Sequence, residues 1–301
     1  GTPTSGSQLS AASTFGVDTI TPSVSSVAIT SATGAQNSTL NAGDVISATV
    51  TMSESVTVTG TPQLTLNIGG VNRIASYSSG SGTSALVFTY TIVAGDTDAN
   101  GVSIAANSLA LNSGTIADLA GNAATITHAA VADNASYLVD TTAPSAPSIT
   151  SVTDNVGSIT GALTTGGRTD DTDLTVKVSL TGTNAVAGDT IQLYNSTTAL
   201  GSAYTLLAAD ITNGFANVQT GTLTNGTTYT INAKVIDIAG NASAASSNFT
   251  TTVDTTAPTV STVAITSATG AQNSTLNAGD VVSATVTMSE SVTVTGTPQL
   301  T

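Results

Sequence analysis

Apolar and polar residues alternate along much of this chain with a period of two, which places one face of a β-strand against a core. The clearest apolar series occupy alternate positions within 46–52, 86–92, 174–180 and 229–235. Gly-Gly and Asn-Gly pairs, which favour tight turns, stand between such segments. The pattern predicts an all-β chain.

Residues 143–256 contain seven predicted strands, a number typical of an immunoglobulin-like β-sandwich. The preceding segment, 18–142, alternates in the same way and is longer, so we expect an additional hairpin in it. The seven strands are predicted near 148–152, 174–180, 190–194, 203–207, 215–220, 228–236 and 247–253.

A repeat links the two ends of the chain. Residues 24–65 and 260–301 are identical at 40 of 42 positions, at a fixed offset of 236. The differences are Ser26 against Thr262 and Ile46 against Val282. Packing requirements would not preserve surface Ser, Thr and Asn so closely, whereas duplication would. We therefore interpret the chain as an internal stretch of a longer tandem array.

A Val-Asp-Thr-x-x-Pro string divides the repeat, with its aspartates at Asp18, Asp140 and Asp254. Each proline interrupts strand pairing and favours an extended residue before it, so we interpret the strings as short, stiff linkers. The predicted array of immunoglobulin-like modules is a tail of a preceding module (1–17), two whole modules (18–142 and 143–256) and part of a third that repeats the first (257–301).

Composition narrows the possible partners. Only 7% of the residues are charged, and 18 acids against 4 bases give a net charge of −14. Nucleic acid binding requires clustered Lys and Arg, which this chain lacks. No apolar run reaches the ~18 residues that span a bilayer, so we expect no direct membrane insertion. The chain has no cysteine, which excludes disulfide and thiol chemistry.

Each whole module carries an Asp-x-Ala-Gly-Asn motif before its last predicted strand. In an immunoglobulin-like topology this loop lies where its own module begins, so we expect it beside the preceding linker. Oxygen ligands suit calcium, whereas zinc favours His or Cys. The alternative is that these side chains only close turns beside glycine. The predicted calcium ligands are Asp18, Asp118 and Asn122 at the first junction, and Asp140, Asp237 and Asn241 at the second.

A third candidate is the loop that begins at Asp96. Asp96, Asp98 and Asn100 supply oxygens at positions 1, 3 and 5 of a calcium-loop pattern, with Gly101 at position 6. Position 12 is Asn107 rather than the usual Glu. A plain Asn-Gly turn is the alternative.

A fourth candidate lies just before a predicted strand of the second module. Asp170, Asp171 and Asp173 are three acids in four positions, and the assumed topology makes them face the third junction near Asp254. A solvated acidic loop is the alternative.

Catalysis is not expected from this sequence. The only histidine, His128, lies in the alternating segment 124–130, which predicts a place on a strand surface rather than a general base. Serine and threonine are abundant, but a nucleophile needs a partnered base. Glu54 and Glu290 occupy the same repeat position, which argues against a unique acid pair.

Two resemblances cover residues 18–301. The runs NSTLNAGDVISATVTMSESVTVTGTPQLTLNIGG, GDTDANGVSIAANSLAL and VADNASYLVDTTAP resemble the repeat of giant surface proteins associated with swimming motility in marine cyanobacteria. The runs SVTDNVGSITGALTTGGRTDDTDLTV and VIDIAGN resemble immunoglobulin-like extender domains of calcium-dependent repeats-in-toxin adhesins. The resemblance implies calcium ligation by the linker and motif residues, including Asp254. It also implies secretion to the cell surface.

The expected function is that of a structural extender in a secreted, extracellular cell-surface protein, stiffened by calcium between neighbouring modules of the same chain. One alternative is a self-assembling surface layer or filament, in which copies pack laterally through their β modules. Another is glycan or ice binding by alternate threonines such as Thr57, Thr59 and Thr61.

Overall fold

The computed structural model describes residues 16–157 and 160–301. Its regular structure is almost entirely β-strand, which confirms the all-β prediction. Val, Ile and Thr dominate the strands because their branched side chains pack well on a half-buried pleated surface. No helix in the described residues is long and apolar enough to cross a membrane.

The first module contains ten strands. They are β1 (Val24–Thr33), β2 (Thr39–Leu40), β3 (Val45–Thr59), β4 (Gln63–Ile68), β5 (Val71–Ser79), β6 (Thr83–Thr91), β7 (Thr97–Asp98), β8 (Leu109–Ala110), β9 (Thr115–Ala117) and β10 (Leu138–Asp140).

Seven of these strands form one sheet in the order β1-β3-β6-β5-β4-β8, with β9 paired to the far end of β3. The other three form a small sheet, β2-β10-β7, in which β10 runs parallel to β2 and antiparallel to β7. Because β10 ends at Asp140, the small sheet fixes the point where the second linker leaves the module.

The second module contains β11 (Ser148–Asp154), β12 (Gly161–Ala162), β13 (Gly167–Thr169), β14 (Thr175–Ser179), β15 (Thr190–Asn195), β16 (Thr198–Thr205), α1 (Ala208–Asn213), β17 (Phe215–Gln219), β18 (Thr228–Ile236) and β19 (Phe249–Val253). The strands form two sheets, β12-β11-β14-β17 and β13-β19-β18-β15-β16. This is the two-sheet sandwich that the strand count predicted.

The details differ from the sequence predictions in several places, and the short strands β12 and β13 were not among the seven predicted. The strand predicted at 203–207 runs over Thr198–Thr205, and α1 was not foreseen. Asn213-Gly214 ends that helix, with Gly214 in the left-handed conformation, instead of joining two strands. The extra length of the first module lies largely in the connection 92–114, with its short β7 and β8, instead of in an added hairpin. Segment 124–130 is irregular rather than a strand.

Each of the first two modules has its own core. The alternating residues Ile46, Val50 and Phe88 are fully buried in the first, and Leu174 and Ile231 are fully buried in the second. The alternation predictions are therefore confirmed. On the outer face, threonine hydroxyls pair across strands, as between Thr59 and Thr115 at 2.7 Å.

The third unit is a hairpin of β20 (Val260–Thr269) and β21 (Val281–Met288), paired in the register of β1 and β3. β3 has 15 residues, but its copy β21 has 8. β3 pairs with β6 along Val45–Thr51 and with β9 at its far end, whereas β21 pairs only with β20 in the described residues. Consequently Val286 is 42% exposed, whereas its repeat equivalent Val50 is 0% exposed.

This pair of identical positions predicts unequal mutational costs. Val50→Ala should lower the free energy of unfolding of the first module by about 2 kcal/mol, because it removes fully buried apolar surface. The matched change Val286→Ala should leave the unfolding transition within about 0.5 kcal/mol of the parent. Guanidinium unfolding followed by tyrosine fluorescence measures both, and equal effects would contradict the assigned core.

Candidate metal sites at the module junctions

The Asp-x-Ala-Gly-Asn loops of the two modules have the same internal geometry. In the second module, Asp237 Oδ1 accepts the backbone N–H of Asn241 at 2.8 Å, and Asp237 Oδ2 accepts its side-chain amide at 2.9 Å. The first module repeats both bonds, each at 2.8 Å. The intervening glycine has a φ of 90° or 94°, a left-handed conformation that few other residues adopt. The loop is therefore encoded by its own five residues.

The same asparagine amide holds each loop against the linker that precedes its module. Asn241 Nδ2 donates to the backbone oxygen of Asp140 at 2.9 Å, and Asn122 Nδ2 donates to that of Asp18 at 3.1 Å. Each linker aspartate thus lies beside its motif. The two junctions are built alike.

At the first junction a third acid joins the pair. Carboxylate oxygens of Asp18, Glu54 and Asp118 all lie within 4.8 Å of one another. Hydrogen bonding by Asn122, followed by backbone N–H groups, lowers the pKa of Asp118 and outweighs its desolvation. Asp118 is therefore held in its charged form, the form that ligates a cation.

At the second junction the third acid is Asp189. Asp140, Asp189 and Asp237 line one pocket beside Pro144, although their carboxylate oxygens do not all lie within 4.8 Å of one another. Asp189 is 2% exposed; its Oδ2 accepts the N–H of Val186 at 2.9 Å, and its Oδ1 is buried without a hydrogen-bond partner. Burial, with a smaller contribution from the charges of Asp237 and Asp140, raises its pKa and outweighs the backbone N–H groups of Val186 and Ile238, which lower it.

Sequence reasoning missed Glu54 and Asp189 as site residues. Glu54 lies within the long strand β3, and Asp189 immediately precedes β15. Neither belongs to a linker or to an Asp-x-Ala-Gly-Asn motif. No sequence signal singled them out, because the repeat retains nearly every position and not Glu54 in particular.

The third boundary has a different chemistry. Asp254 Oδ2 accepts a hydrogen bond from Arg168 Nη1 at 2.7 Å, and both residues line a pocket with Asp170 and Glu290. One buried oxygen of Asp170, Oδ1, has no partner. By the repeat offset, Asp254 and Glu290 correspond to the Asp18 and Glu54 of the first junction.

The other two acids of this cluster hydrogen-bond to backbone groups of their own module. Asp171 is 2% exposed and accepts the backbone N–H groups of Asn155 and Asp173. Asp173 accepts the N–H of Gly221 at 3.0 Å. Of the three predicted acids, only Asp170 lines the boundary pocket with Asp254.

The loop that begins at Asp96 is closed by protein hydrogen bonds. Arg73 Nε donates to Asp96 Oδ1 at 2.6 Å, and Tyr90 donates its hydroxyl to Oδ2 at 2.8 Å. Burial, and then the bond to Asp96, raise the pKa of Tyr90 to about 12.

The remaining two predicted ligands of that loop are also engaged. Asp98 accepts the N–H groups of Gly69, Asn100 and Gly101, and Asn100 donates to Asp133. Asp96 and Asp98 therefore have partners without a cation, which favours the plain turn.

His128 is a buried structural residue, not a strand-surface one. Its Nε2 accepts the backbone N–H of Ser108 at 3.0 Å and of Leu109 at 3.3 Å. Its Nδ1 lies 2.8 Å from the oxygen of Ala129, a carbonyl that can only accept. With both ring nitrogens bound to backbone, the imidazole anchors the irregular segment 124–130.

No protein-family model and no curated protein match this chain. A crystal structure of chicken CNTN1 FN1–FN3 domains matches with a TM-score of 0.34 and 11% identity over 72% of this chain. This chain spans 63% of that one, less than two thirds of its length. A 1.5-MDa bacterial ice-binding adhesin, solved to explain its retention at the host cell surface, matches with a TM-score of 0.27 and 20% identity, over 81% of this chain and 69% of that one.

Proposed function

We propose that this chain is a structural extender segment of a secreted bacterial cell-surface protein or adhesin, and that calcium stiffens the junctions between its modules. The modules would serve as spacers, and the ions would resist bending where one module meets the next.

The observation that carries the proposal is the environment of Asp189. A carboxylate that is 2% exposed, with one oxygen unpartnered and two further acids in the same pocket, is costly without a cation. The described part of the pocket lining contains no Lys or Arg. A divalent cation would supply the missing charge and occupy the unpartnered oxygen.

The donor set fits calcium. The candidate ligands at both junctions are carboxylates, with carbonyl oxygens of linker and loop nearby, and calcium takes six to eight oxygen ligands. Asp18, Glu54 and Asp118 would hold an ion at the first junction, and Asp140, Asp189 and Asp237 at the second. When bound, the ion would supply charge neutralisation and a cross-link between the linker and the next module.

The third boundary supports a weaker version of the same arrangement. Arg168 already neutralises Asp254 there, so an ion would compete with a guanidinium group. Asp170 and Glu290 are the acids that remain for it.

An extracellular location follows from the same proposal. Extracellular calcium modules bind with dissociation constants of roughly 0.1–1 mM, far above cytosolic calcium levels. All four bases are engaged within the chain: Arg73 and Arg168 with aspartates, and Lys177 and Lys234 over the rings of Phe215 and Tyr194. That arrangement leaves no cluster of basic residues for nucleic acid.

Lateral assembly remains the alternative function. The exposed apolar face of the third-unit hairpin could serve it, since Ile265 is 76% exposed. However, the equivalent residue Ile29 is 8% exposed in the first module. The module's own strands therefore account for that face without a second copy.

Calcium should raise the stability of the parent chain through both junctions. At a free concentration about 100 times the dissociation constant, each occupied site adds about 2.7 kcal/mol. Glu54→Gln and Asp189→Asn should each remove one bound ion in isothermal titration and most of the calcium-dependent rise in melting temperature of the adjoining module. Asp210→Asn, which removes the same charge from the first turn of α1, is the control and should keep both ions. If Asp189→Asn binds calcium as the parent does, the second site is misassigned.

Lowering the pH should relieve a destabilising effect of Asp189 in the chelator-treated chain. Its pKa is raised above the ordinary 3.8, so its charged form disfavours the fold at neutral pH. As the pH falls from 7 towards about 4, the folded chain takes up a proton that the unfolded chain does not, and this penalty is relieved.

Melting temperatures of the parent and Asp189→Asn, measured across this range with chelator, should therefore converge as the pH falls. The variant should be the more stable chain at pH 7. A constant difference between the two would show that Asp189 does not titrate abnormally.

A further inference from the structure

A second contact joins the first two modules without any acid. Asn37 Nδ2 donates to the backbone oxygen of Ile238 at 3.2 Å, and Asn41 Nδ2 donates to that of Ala239 at 2.7 Å. A Cβ on Gly240 would overlap the side chain of Gln36. The segment Gln36–Asn41, here named the Gln-Asn loop, thus hydrogen-bonds to and packs against the Asp-x-Ala-Gly-Asn loop of the second module.

The two copies of the Asp-x-Ala-Gly-Asn loop show what this contact buries. Ala239 is 0% exposed where the Gln-Asn loop covers it, whereas the equivalent Ala120 is exposed. Ile238 is 48% exposed and lines a pocket together with Leu138 and Val139 of the first module, whereas the equivalent Leu119 is 97% exposed. Since the loops have the same internal hydrogen bonds, the difference comes from the docking.

Contacts within the first module itself fix the conformation of the Gln-Asn loop. Asn37 and Ser38 have φ values of 49° and 64°, the two positive values of a type I′ turn, and Gln36 and Thr39 exchange backbone hydrogen bonds of 2.8 Å. Asp44 Oδ2 fixes the N–H of Asn41 at 2.8 Å. The side-chain amides are therefore presented from a rigid turn.

The copy in the third unit has the same conformation although its module core is not assembled. Asn273 and Ser274 have φ values of 48° and 61°, and Asp280 Oδ2 accepts the N–H of Asn277 at 2.8 Å. The side chains of Asn273 and Asn277 make no contact with another module in the described residues. Local sequence alone thus produces the same loop with an open face.

We propose that the Gln-Asn loop is a metal-independent docking surface for an Asp-x-Ala-Gly-Asn loop, and that the open copy at 272–277 accepts that loop from a further module. The partner must offer two successive backbone carbonyls, an apolar residue at the second motif position and glycine at the fourth. Docking would set the angle between modules, while an ion would lock the linker.

The internal interface tests the first half of this proposal. Because the chain has no cysteine, Ser76→Cys and Ser202→Cys introduce a unique pair of spin labels, one on each module. With chelator present throughout, the labelled parent should give a narrow distance distribution. Asn37→Ala with Asn41→Ala should broaden it at least twofold.

A matched control excludes a general loss of structure. Asn273→Ala with Asn277→Ala removes the same side chains from the open copy and should leave the distribution narrow. A broad parent distribution in chelator that narrows only with calcium would overturn the docking role and leave the calcium proposal standing.

Trapping in trans tests the open copy. Chains carrying Gln272→Cys, mixed under mild oxidation with chains carrying Ala120→Cys, should form disulfide-linked heterodimers, because these substitutions keep both asparagine amides, the apolar second position and the glycine of the motif. Their yield should exceed several-fold that of Gln272→Cys mixed with Ser202→Cys. Equal yields would overturn the assignment of this partner to the open copy.

Discussion

Each junction of this chain depends on one asparagine side-chain amide, which donates hydrogen bonds both to its own loop and to the linker before it. Asn241 Nδ2 donates both to Asp237 Oδ2 and to the backbone of Asp140, and Asn122 does the same at the first junction. This bridge holds the linker aspartate against the motif aspartate. Like charges are thereby brought together, and the proposed need for a cation follows from that placement.

The third acid makes the two junctions differ in the spacing of their carboxylates and in the pKa of one of them. Glu54 reaches the first site from a long strand, and Asp189 reaches the second from the residue before β15. The first trio is compact and includes an acid whose pKa is lowered by hydrogen bonding. The second is wider and includes a buried acid whose pKa is raised. The two sites would therefore bind calcium with different affinities, and the array would stiffen in steps as calcium rises.

The features that could be predicted from the sequence depend on short motifs or on the period-two alternation of apolar residues. Alternation gave the buried faces of β3, β6, β14 and β18, because a strand's side-chain period is fixed by its backbone. The Asp-x-Ala-Gly-Asn loop and its place beside the linker followed from a short motif and a common topology. The pairing of β6 with β5 and of β5 with β4, which builds the larger sheet of the first module, depends on tertiary packing and was not foreseen.

Contacts between residues that are far apart in the sequence could not be predicted. Asp96 matched a calcium-loop pattern, but Arg73, 23 residues away, pairs with it. His128 matched an alternating strand, but the backbone at Ser108 and Leu109 captures its ring. Asp189 carried no motif, yet folding places it beside Asp140 and Asp237. In each case a partner remote in sequence decides the role.

The most direct test of the account is a high-resolution crystal structure of this chain grown with saturating calcium. The account predicts an ion that links Asp140, Asp189 and Asp237, with six to eight oxygen ligands at about 2.3–2.6 Å. Water alone among these carboxylates, with Asp189 Oδ1 hydrogen-bonded to it and no ion present, would contradict the account.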